Sequence, residues 1–357
     1  MKALRPLRLL LCLLLLPLSI WYPLSIALRN LLYALGLKHS APSSLPTVGI
    51  GNLRVGGTGK TPHTELLIRL FGDRRTALLS RGYGRKSKGA LVAKPGQADA
   101  TLLGDEPAMM AAKYPALTVA VAEQRLDGIE RLMQLPQPPQ LVLLDDVYQH
   151  RALRPTVSLL LTEYADLFSE DYILPFGNLR EFRAGRRRAD IIIVTKCPPE
   201  LTPADQSAVR NRLRLRQGQQ LFFSTIDYGA PLPLGVDPQQ PAPPPSLDNV
   251  LLVTGIAHPA PLVAHLQRQG HVEHLRFADH HDFNEADLRR LRNAFERLAA
   301  TNKIILTTEK DAQRLLRHAA SPHLQGVPLY YIPIKVRLLD GDLKAAISAL
   351  MQQRLRQ

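Results

Sequence analysis

The stretch GIGNLRVGGTGKTP, residues 49–62, decides the fold. An apolar run precedes its glycines, and ELLIRLF, which has the pattern of a helix that covers a sheet, follows them. The glycines therefore connect a predicted strand to a predicted helix, which is where nucleotide-binding proteins place the P-loop. The strict motif has glycine at position 54, where this chain has Arg54. An ordinary glycine-rich turn is the alternative interpretation.

The loop offers the groups that bind a phosphate. Glycines let backbone N–H groups converge on phosphate oxygens without an intervening side chain. A lysine adds a positive charge, and a hydroxyl at the start of the helix can bind Mg²⁺. The predicted nucleotide-binding residues are Gly56, Gly57, Thr58, Gly59, Lys60 and Thr61.

Short runs rich in Val, Ile and Leu recur along the rest of the chain and are apolar on both faces, which is typical of a buried parallel sheet. We predict an α/β fold in which a P-loop domain is doubly wound around a mostly parallel sheet, with an N-terminal membrane helix and a second, smaller α/β domain. A Pro-rich stretch without periodicity predicts a linker between the two domains. The predicted segments are 1–40 for the membrane anchor helix, 41–228 for the P-loop domain, 229–249 for the linker and 250–357 for the second domain.

The N-terminal segment is apolar enough to enter a membrane. Residues 9–28 carry no charge and number about twenty, the length that crosses a bilayer. Pro17 and Pro23 disfavour one straight helix, so a kinked or half-inserted helix is the alternative to a span. A cleaved signal peptide is the rival interpretation, but no small-residue cleavage site follows cleanly. We predict a membrane anchor.

Composition narrows the partners. The chain has 357 residues and a net charge of +14, which indicates an anionic partner such as phosphate, nucleic acid or a membrane. Few aromatic residues accompany the basic runs and no recognition motif is present, so we expect no nucleic-acid partner. The two cysteines form neither a disulfide framework nor a zinc-binding pattern. The basic runs SRGYGRKSKG and NLREFRAGRRRAD are either solvated surfaces or grips for a phosphorylated substrate or anionic head groups.

Three acidic clusters are candidates for chemistry. Asp145 and Asp146 end an apolar strand, where P-loop enzymes hold Mg²⁺, although a solvated turn is the alternative. Asp105 in GDEP could accept a proton as a general base or simply stabilise the first turn of a helix. His280 in ADHHDF could share a proton with a catalytic carboxylate or lie in a surface loop.

Read in order, these motifs resemble the tetraacyldisaccharide 4'-kinases, the lipid A 4'-kinases of Gram-negative bacteria. The resemblance spans nearly the whole chain, and the loop of that family also lacks the first glycine. The main departures are Val147 for a glycine, Tyr148 for a phenylalanine, Phe182 for a proline and His258 for an asparagine. The matching pieces are the apolar N-terminus, GNLRVGGTGKTP, SRGYGRK, GDEP, DDVYQHR, LPFGNLRE, TK, TGIAHP, ADHHDF and TTEKDAQRL.

The resemblance implies transfer of the ATP γ-phosphate to the 4'-hydroxyl of a tetraacylated glucosamine disaccharide 1-phosphate, a late step of lipid A biosynthesis. It implies ATP and Mg²⁺ as cofactors, and the lipid A disaccharide precursor and the anionic inner-membrane surface as partners. We expect a monomer at the inner membrane, with its catalytic domains on the cytoplasmic face. A P-loop switch or partitioning ATPase is the rival class, but its signature lysine is replaced here by Val55.

The resemblance also assigns roles to residues. Asp105 becomes the general base, His280 assists it, and Lys60 binds the phosphates. The implied metal residues are Thr61, Asp145, Asp146 and Glu181. The residues implied to contact the lipid substrate are Asn52, Arg81 and Arg180.

Overall fold

A computed structural model describes residues 16–94, 96–234, 246–279 and 281–356. The chain forms two compact units, one of Met1–Ile226 with Val336–Gln357 and one of Asp227–Lys335. The strands are β1 Ala41–Pro42, β2 Thr47–Asn52, β3 Thr76–Ser80, β4 Leu91–Val92, β5 Thr118–Val121, β6 Leu141–Leu144, β7 Leu153–Arg154, β8 Val157–Glu163, β9 Ile191–Thr195, β10 Gln220–Tyr228, β11 Leu232–Pro233, β12 Asn249–Thr254, β13 His271–Arg276, β14 Ile304–Thr308, β15 Leu329–Ile332 and β16 Ile334–Leu338. The helices are α1 Leu16–Ala34, α2 Lys60–Leu70, α3 Ala100–Leu103, α4 Asp105–Lys113, α5 Arg125–Met133, α6 Pro203–Leu213, α7 Ala260–Gln267, α8 Glu285–Arg297, α9 Glu309–Leu315 and α10 Leu343–Leu355.

The first unit is built on a nine-stranded sheet in the order β16-β10-β9-β8-β2-β6-β3-β5-β4. The pairs from β10 to β5 are parallel, and the short edge strand β4 pairs antiparallel with β5. Both faces are covered, because alternate residues of one strand enter different cores. In β6, Leu141 and Leu143 pack into one cluster and Val142 and Leu144 into another. The predicted α/β fold with mainly parallel strands is confirmed.

The second unit has its own five-stranded sheet in the order β11-β15-β14-β12-β13. Its four long strands pair in parallel, and β11 adds one antiparallel edge. Apolar side chains of α8 and α9 pack on one side of this sheet, and those of α7 pack on the other.

The predicted boundaries need two corrections. The second unit begins at Asp227 and uses β11, so the start of the predicted linker 229–249 is a strand. The chain also returns to the first unit at Val336. The second unit therefore ends at Lys335, not at residue 357 as predicted. Leu343, Ile347 and Met351 are the physical reason, because they form one stripe of α10 that packs into the core of the first sheet.

Helix α1 contacts the first unit through polar side chains. The Tyr22 hydroxyl donates to the Arg180 carbonyl at 2.9 Å, and Arg151 Nη1 donates to Asn30 Oδ1 at 2.9 Å. The predicted apolar stretch 9–28 lies partly outside the described residues. In the part of the chain that the structure describes, no helix has the length and hydropathy that crossing a membrane requires.

Candidate functional site

Residues 53–59 connect β2 to α2 and place the sequence-predicted loop at the carboxyl edge of the sheet. Gly56 has φ +100° and Gly59 φ +87°, a left-handed conformation that favours glycine. A Cβ added to Gly56 or Gly57 would meet no atom within 4 Å. Packing within the protein therefore does not explain a glycine at 57, whereas close approach of a ligand to bare backbone would.

Three side chains from outside the loop hold its consecutive carbonyl groups. Because each peptide unit is planar and trans, fixing a carbonyl also directs the following N–H to the opposite side. The N–H groups after these carbonyls are thereby oriented together, and such converging amides bind anions. The contacts are Lys196 Nζ to Gly57 O at 2.6 Å, Thr195 Oγ1 to Thr58 O at 3.0 Å and His63 Nδ1 to Gly59 O at 2.7 Å.

His63 is a neutral buried side chain in this arrangement. It is 1% exposed, and burial lowers its pKa to about 4. A carbonyl oxygen only accepts, so Nδ1 carries the hydrogen and Nε2 accepts from the Ser224 hydroxyl at 2.9 Å. No sequence signal predicts this role of His63. Thr195 and Lys196, the TK motif, come at the carboxyl end of β9, and this position is a signal that they lie near the loop.

Arg54, which replaces the first glycine of the strict motif, has a structural role. Its side chain is buried, and Nη2 contacts Asp166 Oδ2 at 2.6 Å while Nη1 donates to the Asp166 carbonyl at 2.9 Å. Nε lies 3.3 Å from Asp171 Oδ2. Arg54 therefore fixes the segment that follows β8, and its charge is compensated there.

Asp145 and Asp146 follow β6 at the same edge of the sheet and differ in their electrostatics. Burial and the neighbouring Asp146 raise the pKa of Asp145 to about 6. Burial also raises the pKa of Asp146, but Lys60 and Arg180 outweigh that effect, so its net pKa is lowered. Lys60 Nζ lies 3.8 Å from Asp146 Oδ2, and Arg180 Nη2 lies 3.0 Å from Asp146 Oδ1. Asp145 accepts from two neutral hydroxyl groups, from Thr64 at 3.0 Å and from Ser80 at 3.4 Å.

We expect Asp145→Asn to raise the thermal stability of the ligand-free chain. The folded-state pKa of Asp145, about 6, lies above the ordinary value near 4, so its ionisation destabilises the folded state. That penalty is fully present above pH 6 and disappears as the pH falls from 6 to 4. Thermal melts should therefore show a stabilising effect of the substitution at pH 8 that shrinks at pH 5.

Asp146→Asn is the matched control, and its effect has the opposite sign. The lowered pKa of Asp146 means that its charge stabilises the folded state above about pH 4. The control should lower the melting temperature at pH 8, and that loss should shrink as the pH falls. Equal shifts for the two variants would contradict this assignment of the electrostatics.

Asn52 and Arg180, two predicted substrate contacts, are connected to each other. Asn52 is fully buried, and its amide donates to Thr58 Oγ1 at 2.6 Å and accepts a short hydrogen bond from Arg180. Gln149 donates to the Asn52 carbonyl at 2.7 Å. Asn52 thus acts inside the protein, through Thr58 and Arg180, rather than at its surface. Val147 is buried, and the residue before it, Asp146, has a positive φ of 43°.

Glu181, which the resemblance assigns to the metal ion, is bound by a cation of the protein. Glu181 is 1% exposed and pairs with Arg188 Nη2 at 2.7 Å. Among the described residues, no group of three or more His, Cys, Asp or Glu side chains is arranged to hold a metal ion. That Glu181 joins Asp145 and Asp146 at a metal ion stays a prediction, and its carboxylate is paired with an arginine of the following 3-10 helix, Arg183–Arg188.

Asp105 is the first residue of α4, which begins beside the loop after β3. A Cβ on Gly104 would lie 2.7 Å from the Tyr83 carbonyl, so GDEP packs directly against RGYG. The charge of Glu106 contributes to the raised pKa of Asp145, which indicates that α4 begins near this pair. Arg81 is exposed after β3. His280 lies outside the described residues, and its neighbour His281 contacts Asp287 at 2.8 Å.

Comparison with known proteins identifies the family. A family model described as tetraacyldisaccharide-1-P 4'-kinase matches residues 11–352. The chain belongs to this family. Its activity, phosphorylation of a lipid A precursor, is the one predicted from the sequence, and that prediction is confirmed.

Relatives and a solved structure agree with this membership. A tetraacyldisaccharide 4'-kinase of Bacteroides thetaiotaomicron is 42% identical over 343 residues, which are 91% of this chain and 89% of that protein. One from Flavobacterium johnsoniae is 42% identical over 335 residues, 94% of this chain and 95% of that protein. A crystal structure of LpxK from Aquifex aeolicus in complex with ATP is similar with a TM-score of 0.71 and 27% identity, and the match covers 96% of this chain and 99% of that one.

Proposed function

We propose that this kinase binds the phosphates of ATP on the loop Gly56–Thr61, as a P-loop, and transfers the γ-phosphate to the 4'-hydroxyl of a tetraacylated glucosamine disaccharide 1-phosphate. The observation that carries the proposal is the set of three fixed carbonyl groups, which leaves oriented amides beside Lys60. The similar LpxK structure in complex with ATP supports the same nucleotide.

The oxygen groups next to this loop suit Mg²⁺. This ion prefers carboxylate and hydroxyl oxygens and completes its coordination with water and substrate phosphates. We propose that Thr61, Asp145 and Asp146 hold it, either directly or through its water shell. The pKa of Asp145 is raised by burial and by the negative charge of Asp146. A bound cation would reduce the repulsion between these two carboxylates. Such an ion neutralises charge on transferring phosphates.

The remaining chemistry needs positioning and one proton acceptor. We propose that Lys60 neutralises phosphate charge and that Asp105 accepts the proton of the attacking hydroxyl. His280 assists Asp105 in this proposal, and Arg180 and Arg81 contact the substrate. Arg180 is held by Asn52 and Asp146, so its guanidinium is already oriented before substrate arrives.

We propose that the chain works as a monomer at the cytoplasmic face of the inner membrane. Helix α1 exposes a series of large apolar side chains to solvent, among them Trp21, Leu24, Leu28 and Leu31. An exposed apolar surface of this kind marks an interaction site. A substrate whose acyl chains stay in a bilayer requires the active site to lie next to that bilayer.

Transfer of ³²P from labelled ATP to a lipid A disaccharide precursor tests this function. Labelled lipid that depends on Mg²⁺ is the expected result. Hydrolysis of ATP without labelled lipid would indicate a P-loop switch, and no use of ATP would reject the P-loop interpretation altogether.

Deleting residues 1–30 should weaken binding to membranes, because the deletion removes the exposed apolar residues of α1. Sedimentation of the full chain and the deletion variant with inner-membrane vesicles measures the effect. A second variant retains α1 but has Trp21, Leu24 and Leu28 replaced by Ser, so it tests these exposed apolar side chains alone. Equal sedimentation of all three proteins would show that the basic surface suffices.

Thr195→Val should weaken binding of a nonhydrolysable ATP analogue by about five- to tenfold, the effect of losing one hydrogen bond. The substitution keeps the shape of the side chain but releases the Thr58 carbonyl. Thr225→Val is the matched control, because this buried hydroxyl donates to the Cys197 carbonyl at 2.8 Å instead. Calorimetric titration of both variants measures the difference, and equal affinities would contradict a role for the fixed carbonyls.

A further inference from the structure

A basic cavity of about 650 Å³ lies in the first unit, between α6 and the two 3-10 helices Phe168–Glu170 and Arg183–Arg188. This volume is typical of a small-molecule site. Most residues of the RAGRRR run line this cavity. The proposed kinase site does not use them. Five of its lining residues are arginines: Arg183, Arg186, Arg187, Arg212 and Arg214.

Three of these arginines precede strands of the first sheet. Arg186 and Arg187 come shortly before β9 begins, and Arg214 follows α6 shortly before β10 begins. Strands β10, β9, β8 and β2 are neighbours in the sheet, and each pairs in parallel with the next. Arg186, Arg187 and Arg214 are therefore near the amino ends of parallel strands, whereas the phosphate loop follows a carboxyl end.

Positive charge in the cavity is only partly compensated. Glu170, the acidic residue among the described lining, is bound by Arg212 through contacts of 2.5 and 2.7 Å. Three further guanidinium groups line the cavity and have no carboxylate partner among the described residues. They belong to Arg186, Arg187 and Arg214. Burial, and then the charges of neighbouring arginines, lower the pKa of Arg186.

Two buried polar atoms of the lining lack a hydrogen-bond partner within the described protein. They are Ser169 Oγ and Arg186 Nη1. Buried polar atoms in native proteins almost always have a partner. A guanidinium nitrogen only donates and a serine hydroxyl can donate, so each atom can bond to an acceptor such as a phosphate oxygen.

The backbone of the basic segment is held in place without any ligand. Gln219 Nε2 donates to the carbonyls of Arg186 and Ala189 at 2.8 and 2.7 Å. Its Oε1 accepts from the Arg216 N–H at 2.9 Å. The arginines therefore extend from a fixed frame, so binding would order few additional groups.

We propose that this cavity is a second anion site, which binds a phosphate group that is either free or carried by a lipid head group. Arginine guanidinium groups match phosphate oxygens in geometry and in charge. A bound phosphate would reduce the repulsion among Arg186, Arg187 and Arg214 and would accept from Ser169 and Arg186.

Calorimetric titration of inorganic phosphate into the full chain tests the proposal. A saturating nonhydrolysable ATP analogue is present, so that the phosphate loop is occupied. The test variant is Arg187→Gln with Arg214→Gln. The matched control is Arg69→Gln with Arg210→Gln, which removes the same charge from exposed helix positions outside the cavity. We expect the test variant to bind phosphate at least about tenfold more weakly and the control to bind it as the unmodified chain does.

Flotation with phosphatidylglycerol and phosphatidylcholine vesicles separates the two sources of the phosphate group. Loss of both phosphate and vesicle binding in the test variant supports a head group, and loss of phosphate binding alone supports a soluble phosphate. Equal behaviour of test and control variants, or no phosphate binding by the unmodified chain, would overturn the site. If the double variant does not fold, Ser169→Ala replaces it, and we expect about threefold weaker phosphate binding without loss of stability.

Discussion

Replacing Lys60 with alanine is expected to lower kcat by about 10²- to 10³-fold, the usual cost of removing one preorganised group that stabilises charge in the transition state. Lys60 begins α2 directly after the loop, and its ammonium group lies 3.8 Å from Asp146. Its ammonium group is therefore next to the carboxylates, and its backbone directly follows the loop. Single-turnover transfer of ³²P to the lipid precursor measures the loss independently of product release.

The same substitution should leave the fold largely intact, because Lys60 is partly exposed and its contact with Asp146 is shared with Arg180. Lys344→Ala is the matched control, since Lys344 contacts Asp73 on the surface of the same unit. We expect the control to transfer phosphate at the unmodified rate. A rate for Lys60→Ala within about threefold of the control would remove Lys60 from the proposed phosphate site.

The sequence predicts those parts of the site that local pattern determines. A strand, a glycine loop and a helix in that order require the loop to lie at the carboxyl edge of a parallel sheet, and β2 and α2 follow this rule. Asp145 and Asp146 were predictable for the same reason, because they directly follow an apolar strand. These features depend on neighbouring residues, so no knowledge of distant contacts is needed.

Contacts between distant segments were not predictable in this way. His63 reads as one polar residue in a helix, and its role depends on Ser224, which is 161 positions away in the sequence. The apolar stripe of α10 predicts that one face of this helix is buried. The stripe does not indicate which of the two sheets that face covers.

Replacing Asp105 with asparagine is expected to lower kcat by about 10²-fold or more, the range for loss of a general base. Asp105 is the first residue of α4, where a carboxylate also stabilises the positive end of the helix dipole. Loss of that effect would lower stability, whereas loss of a base would lower turnover. Asparagine has nearly the same shape as aspartate but cannot accept the proton of a hydroxyl at neutral pH.

The control for Asp105→Asn is Glu106→Gln, which removes one charge from the same first turn. If Asp105 only stabilises the helix, the two variants should lose similar melting temperature and neither should lose much turnover. If it is the base, Asp105→Asn alone should lose turnover, while an ATP analogue still binds with unchanged affinity because the phosphate loop is intact. Near-normal lipid phosphorylation by Asp105→Asn would show that the proton leaves by another route, and Asp105 would then be structural.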